Sequence, residues 1–516
     1  MPFLSFLFFI ILSLLSLSFS QFPPPRGTLI NCGTTAPSVI AGRQWLPDAG
    51  FISVGTPKNL TIPVLSPILS TVRSFSMKNN AHRKFCYVVP VYRGAKYMIR
   101  TTYFYGGING NAAPPVFDQI VDGTLWSGVN TTEDYSNGMS SYYEGIFLAQ
   151  GKTMSLCIGV NSYTDSDPFI SALEFVVLGG SLYNSTDFKR YGLSLVARHS
   201  FGYNGSIIRY PDDRFDRFWE PYGDKDLTVS ENINVSVSGI WNLPPSKVFE
   251  TKLTSQSGPL ALRWPLAPLQ NSLYYIALYF ADDRKLSVGS ARGFNVSING
   301  VTYYKNLSVA QAGTAVFATQ WPLGGLTSVT LTPSAASSFA PLINAGEILG
   351  VMVIGGRTLT RDVIALEKLK SSLENPPFDW SGDPCMPRQY SWTGITCSEG
   401  PRIRVVTLNL TSMGISGSVS PSIARLTALT DIWLGNNSFS GSIPDLSSLT
   451  MLQTLHLENN RFTGKIPFSI GSIKNLHELF LQNNYLTGEI PNNLTGKPGL
   501  DLRTSPGNQL SSPAPS

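Results

Sequence analysis

The side chains best suited by type to break bonds lie in Pro211-Asp-Asp-Arg-Phe-Asp216, where Asp212, Asp213 and Asp216 bring three carboxylates together. A glycoside hydrolase needs two such groups facing each other across a groove, one to protonate the leaving oxygen and one to attack or to activate water. Here Arg214 and Arg217 are interleaved, and the pattern reads as a loop held by Asp–Arg pairs. The four histidines, His82, His199, His456 and His477, have neither zinc-ligand nor triad spacing to another ligand. No Gly-x-Ser-x-Gly elbow and no phosphate-cradling glycine loop occurs. The expectation is a protein that is not an enzyme and has no cofactor and no metal site.

Binding asks for less than catalysis. A sugar needs an aromatic face for the apolar side of its ring and a few amide or carboxylate partners, and the chain has 21 Tyr, 9 Trp and 28 Phe. Tyr103, Tyr105, Asp118 and Trp126 are candidates in one stretch, and Tyr279, Phe280 and Asn295 in another. The alternative for each aromatic is ordinary core packing.

The elements that must position these residues repeat. Phe117-Asp-Gln-Ile-Val-Asp-Gly123 and Phe294-Asn-Val-Ser-Ile-Asn-Gly300 are alternating strands closed by hairpin turns. An aromatic β-rich run precedes each at the same distance, Tyr97 to Tyr105 and Tyr274 to Phe280. Pro168-Phe-Ile-Ser-Ala-Leu-Glu174 recurs as Pro341-Leu-Ile-Asn-Ala-Gly-Glu347. Three landmarks in one order imply two copies of one fold, at 28–180 and 188–356, joined by a linker at 181–190. Short strands between turn residues favour antiparallel β-sandwiches of jelly-roll type, so the chain reads as mainly β. Residues 28–356 resemble the tandem malectin-like ectodomain of plant receptor kinases and receptor-like proteins, through Ile30-Asn-Cys-Gly33, Tyr103-Phe-Tyr-Gly106 and the Ala-x-Glu strands. The resemblance implies a recognition surface whose ligand is a carbohydrate, as in animal malectin, or a peptide.

Beyond Gly356 the period changes. Val363, Leu366, Leu369 and Leu373 are spaced as one face of a helix over Arg361 to Leu373. Trp380-Ser-Gly-Asp-Pro-Cys385 and Ser391-Trp-Thr-Gly-Ile-Thr-Cys397 resemble the N-terminal cap of plant leucine-rich-repeat ectodomains, which implies a Cys385–Cys397 disulfide and a cap over 361–400. Gly417, Gly441, Gly464 and Gly488 then mark about four repeats over 401–503, with Asn437, Asn460 and Asn484 at the ladder position. Strand alternation points Asp431, Trp433 and Gly435, then Thr454, His456 and Glu458, then Glu478, Phe480 and Gln482 to the concave face as candidates for protein contact. Residues 504–516 read as a disordered tail.

The compartment is legible as well. Residues 1–20 form an apolar stretch ending in small residues, as in a cleaved signal peptide, and no later run is long enough to span a membrane. Asn-x-Ser/Thr sites at Asn59, Asn130, Asn184, Asn204, Asn234, Asn295, Asn306, Asn409, Asn436 and Asn493 suit a secreted glycoprotein. Of the five cysteines, Cys86 and Cys157 lie in strand-like runs and are expected to pair; Cys32 joined to either one is the alternative. A net charge of +5 without a dense basic run disfavours nucleic acid. The expected molecule is a secreted recognition protein of the extracellular space or cell wall. It binds wall glycan or a secreted peptide and associates with a receptor-kinase or other ectodomain that carries the signal inward. A structural wall glycoprotein without a small ligand is the alternative, and a wall-modifying glycoside hydrolase is a third.

Overall fold

The computed structural model describes residues 23–511 apart from 64, 78–83, 111, 232–234, 236, 238, 257, 284–291 and 336. The expected signal peptide, His82 and the Asn234 site lie outside these residues. In the first copy β1 (Gly27–Asn31), β2 (Lys84–Pro90), β3 (Lys96–Tyr103), β4 (Phe117–Val121), β5 (Thr124–Val129), β6 (Ser141–Leu148), β7 (Thr153–Gly159) and β8 (Ala172–Leu178) form two layers, ordered β1-β8-β3-β6 and β2-β7-β4-β5. The second copy comprises β9 (Tyr191–Phe201), β10 (Leu260–Arg263), β11 (Leu269–Phe280), β12 (Gly293–Ile298), β13 (Val301–Ser308), β14 (Thr314–Gly325), β15 (Ser328–Pro333) and β16 (Ala345–Val353). Its layers run β9-β16-β11-β14 and β10-β15-β12-β13, so the two halves share one strand order.

The halves are nevertheless not separate units. β6 pairs antiparallel with β9, Gly145 opposite Ser194 and Ile146 opposite Leu193, and this merges the larger layers into an 11-stranded sheet. Alternation gives that sheet two buried faces. Tyr97, Ile99 and Tyr103 of β3 pack into the first sandwich, while Met98 joins a cluster with Ile146, Tyr275 and Leu349 that belongs to both copies. Leu182, Tyr183 and Phe188 are buried in the same cluster. The segment 181–190, expected to be a linker, is thus anchored in the shared core through these three side chains, which gain from leaving water, while its other residues are exposed or half-buried.

Across the shared sheet runs a row of alternating charge. Glu174 of β8, Arg100 of β3, Glu144 of β6, Arg198 of β9 and Glu347 of β16 are each no more than 3% exposed. Successive members meet at 3.2, 2.9, 2.7 and 3.0 Å. The aspartate loop closes over this row: Asp216 binds Arg100 at 3.2 Å and Arg209 at 2.9 Å and also Arg43, while Asp213 holds Arg217 at 2.9 Å. The Asp–Arg pairs expected in that loop are present, but two of their partners, Arg43 and Arg100, come from the other copy. Burial by itself would push the carboxyls of Asp216 and Glu347 up. Arg100, Arg209 and Arg43 around Asp216, and Arg198 and Arg217 around Glu347, outweigh burial and hold both below their ordinary values.

After the sandwiches comes helix α1 (Thr360–Lys370), which buries Ala365, Leu366 and Leu369. The coil stack follows. Strands β17 (Val405–Asn409), β18 (Asp431–Trp433), β19 (Thr454–His456), β20 (Glu478–Phe480) and β21 (Asp501–Arg503) form a parallel sheet in sequence order. Each coil repeats the previous one, so polar groups at the turn must be satisfied by the neighbouring coil. Asn460 does so by accepting from the Phe439 amide at 2.9 Å and donating to the Leu434 carbonyl at 2.9 Å, and Asn437 and Asn484 act alike. The stack extends beyond the expected boundary. Asn508 accepts from the Leu486 amide at 2.9 Å and Gln509–Ser511 pairs with Tyr485–Glu489, so residues 504–511 are an ordered fifth coil and not a disordered tail. The ladder residue follows Leu502 by six positions here, against five from Leu479 to Asn484, which hides the repeat from a fixed template.

Replacing Glu144 with Gln leaves Arg100 and Arg198 without their shared counter-charge. The expected loss is about 3–5 kcal/mol, with both halves unfolding in one transition under urea. Carboxylates with lowered folded pKa values stabilise above the ordinary carboxylate range and lose that contribution as pH falls through the folded values. Thermal midpoints should therefore drop below about pH 4, as read by circular dichroism.

Candidate functional site

The aromatic residues expected to line a sugar groove are core. Tyr103, Tyr105, Trp126, Tyr279 and Phe280 are all at most 5% exposed. Tyr103 packs edge-on to Phe117 and Phe169 and donates to Gln119 Oε1 at 3.1 Å. Tyr105 donates to the Ala112 carbonyl, Trp126 to Ser194 Oγ across the join between the copies, and Tyr279 to Glu347 Oε1 at 2.6 Å. Phe280 stacks edge-on with Phe294. Asn295 Oδ1 accepts the Asn306 amide. The five aromatic residues offer a ligand no ring face, and for Tyr103, Tyr279 and Phe280 the physical reason is the 11-stranded sheet: with both of its faces covered, neither side of the alternation reaches water.

Asp118 is a junction residue. Its Oδ2 accepts from Tyr390 Oη at 2.7 Å and its Oδ1 from Asn161 Nδ2 at 2.8 Å, which ties the first sandwich to the coil cap. Around this bond Tyr390 packs with Ile120 and with the disulfide formed by Cys86 and Cys157. Lys84 Nζ donates to the Asp383 carbonyl at 2.7 Å, and Arg357 pairs with Asp122. Burial pushes the Lys84 ammonium down to about 8 against the attraction of Asp383 and Asp379. Within the cap Cys385 is bonded to Cys397 and Trp380 stacks on Trp392 at 5.2 Å. Cys32 is a buried free thiol whose pKa burial raises far above its usual range.

The concave face assembles the solenoid candidates. Trp433, His456 and Phe480 stand in register on β18, β19 and β20, below Asn409 and above Arg503. The His456 ring stacks on Phe480 at 4.1 Å and 12°, Trp433 lies 6.5 Å from His456, and the Arg503 guanidinium covers Phe480 at 4.1 Å. Beside this column runs an acidic row of Asp431, Glu478 and Asp501; Glu478 bonds His456 Nε2 at 3.0 Å and Asp501 bonds Arg503 at 2.7 Å. Glu458 covers Gly435, and its Oε2, like Gln482 Oε1, has no hydrogen-bond partner. Arg503 belongs to a coil past the four glycine-marked repeats; its place two residues after Asp501, like Phe480 after Glu478, is the signal for it in the sequence.

A second group was also missed. Trp45, Tyr142, Tyr143, Phe218, Arg209 and Glu220 line a cleft of about 730 Å³ between the two copies. Tyr142 donates to Glu220 at 2.6 Å, and Trp45 Nε1 has no hydrogen-bond partner. Phe218 carries the Arg100 guanidinium at 3.6 Å and that of Arg209 at 4.4 Å. Of the Asn-x-Ser/Thr sites, Asn59, Asn130, Asn184, Asn204, Asn306, Asn409 and Asn436 are exposed, whereas Asn295 and Asn493 are half-buried. Among the described residues no helix is long and apolar enough to cross a membrane, and no cluster of His, Cys, Asp or Glu could hold a metal.

Comparison with known proteins matches residues 30–351 to the Malectin-like domain, 359–398 to the Leucine rich repeat N-terminal domain, and 451–473 and 475–496 to the Leucine Rich Repeat. Similar curated proteins include the leucine-rich repeat receptor-like serine/threonine-protein kinase At2g14510 of Arabidopsis thaliana, 33% identical over 359 residues that cover 67% of this chain and 40% of that one. The probable LRR receptor-like serine/threonine-protein kinase At1g51810 of the same plant is 29% identical over 446 residues, 83% of this chain and 49% of that one. The chain thus spans at most about half the length of these relatives. Among solved structures, the ANXUR2 extracellular domain from Arabidopsis thaliana aligns with a TM-score of 0.52 at 17% identity, over 63% of this chain and 97% of that one. A chain in the complex of plant peptide RALF23 with FER and LLG2 aligns with a TM-score of 0.52 at 16% identity, over 64% and 96%. At these identities the likeness shows the fold alone.

Replacing Asp118 with Ala removes the acceptor of Tyr390. Faster hydrogen exchange and proteolysis are expected at residues 376–390, with the unfolding midpoint of the coil stack unchanged.

Proposed function

Because the chain belongs to the malectin-like family and carries a leucine-rich-repeat extension, we propose that it is an extracellular recognition protein that engages a partner ectodomain through its coil stack and takes a secreted peptide as ligand. The observation that carries this reading is the column of Trp433, His456, Phe480 and Arg503 on an open concave face, flanked by Asp431, Glu478 and Asp501. Half-exposed aromatic and arginine side chains are the anchors that protein interfaces use most, and the acidic row selects a partner with basic groups opposite. The receptor-kinase relatives and the peptide complex among the structural neighbours support an ectodomain partner and a peptide ligand. In this reading residues 1–20 direct export, the exposed Asn-x-Ser/Thr sites carry glycans, and a glycan on Asn409 confines the contact to the coils from Trp433 onward. No bond-making chemistry is assigned to the chain, since the aspartates nearest to a catalytic pattern are engaged by arginines.

The test is a biolayer-interferometry panel of leucine-rich-repeat receptor-kinase ectodomains against the immobilised full chain. At least one is expected to bind, and Trp433→Ala or Phe480→Ala should weaken that binding by about tenfold or more. A panel without a binder, or binding indifferent to both changes, overturns the proposal. A second reading is favoured by the cleft between the copies, where the Trp45 Nε1 donor and the rings of Tyr142 and Tyr143 suit an oligosaccharide. A glycan array in which Trp45→Phe and Tyr143→Ala lose a signal kept by Phe480→Ala would support that reading, and an array without signal would remove it.

A further inference from the structure

We infer that the groove between the first sandwich and the coil cap is a binding site for an extended peptide segment carrying a basic residue beside apolar ones. The inference rests on the proposal that the ligand is a peptide and adds the place and the chemistry. The groove encloses about 1020 Å³ between Ala49–Val54 of the sandwich and Asn375–Asp379 of the cap, with Met413 and Ile415 of the first coil at its end. This is enough for a short peptide segment. Two of its apolar side chains are exposed, Phe378 at 63% and Met413 at 41%, beside the buried Ile52 and Ile415.

The lining of the groove carries a net negative charge. Its charged residues are Glu374, Asp379 and Lys370, and Lys370 Nζ donates to the Trp380 carbonyl. Asp379 is only 2% exposed. Its Oδ2 accepts from the Thr393 amide and hydroxyl, both at 2.9 Å, but its Oδ1 has no hydrogen-bond partner. A buried acceptor left in that state is costly, and a donor from a ligand removes the cost. Lys84 also feels the Asp379 charge, yet its ammonium donates to the Asp383 carbonyl. A lysine, an arginine or a main-chain N–H of an extended segment fits Asp379 and Glu374, and its apolar neighbours fit Phe378, Met413 and Phe51.

Two further features favour an extended occupant. The walls are held before any ligand arrives, by the bonds of Tyr390 to Asp118 and of Lys84 to Asp383, and a preformed groove lowers the ordering cost of binding. Thr393 and Met413 also line a neighbouring hollow that includes Trp433, which sets the groove next to the concave column.

The experiment pans a phage-displayed random decapeptide library against the full chain, then titrates the enriched sequences as synthetic peptides by fluorescence polarisation. The expected peptides share a lysine or arginine flanked by apolar residues. They should bind Glu374→Lys and Phe378→Ala, both at exposed positions, about tenfold or more weakly, and Phe480→Ala with unchanged affinity. Thermal unfolding of each variant verifies its fold, and Asp379→Asn provides a second probe of the charge. Enriched peptides that are acidic, or that ignore the groove variants, overturn the groove site. If those same peptides are lost with Phe480→Ala, the peptide reading survives and the site moves to the coil face. If no peptide is enriched, both fail.

Discussion

The row of alternating charge from Glu174 to Glu347 is the interaction that ties the two sandwiches to each other. A guanidinium or carboxylate taken out of water costs several kcal/mol unless it is paired, and here Arg43, Arg100, Arg198, Arg209 and Arg217 face Glu144, Glu174, Asp213, Asp216 and Glu347 in equal number. Three of the pairs, Arg43–Asp216, Arg100–Asp216 and Arg198–Glu144, cross from one copy to the other, so the buried charges of the two halves form one network. β6 and β9 contribute Glu144 and Arg198, and the short pairing of these strands is where the sheets merge. The duplicated fold is therefore joined through a shared sheet and a shared charge network.

This constraint also decides what the chain's carboxylates are free to do. Asp213 and Asp216 look by spacing like reactive groups, but their oxygens are occupied by arginines, the Trp219 ring nitrogen and main-chain amides. Such carboxylates hold a structure together. Recognition is left to surfaces built around that body. The cap, fastened through Asp118, Tyr390 and the Cys86–Cys157 disulfide, joins the coil stack to the first sandwich and borders a groove beside it.

The aromatic residues divide along the same physical line. In the sandwiches strand alternation separates two faces, yet the large sheet is covered on both, so Tyr103 and Tyr279 point in different directions and both are buried. In the coils one face of each strand packs on the core and the other is open. There alternation does distinguish Leu455, which is buried, from His456, which is half-exposed. The same rule therefore failed in one domain and succeeded in the other, and the difference is the number of layers packed against the sheet.

The sequence by itself determined the β class, the duplication, the repeat period, the cap and the concave column, because each is written within a few consecutive residues or a fixed period. Only the tertiary structure decided that the halves share a sheet, that Asp118 bonds a tyrosine 272 positions away, that 504–511 continues the stack, and that Trp45, Tyr142 and Tyr143 come together in a cleft. Those facts depend on which distant strands and loops meet. Local periodicity states which side of a strand is apolar, but not what lies across from it.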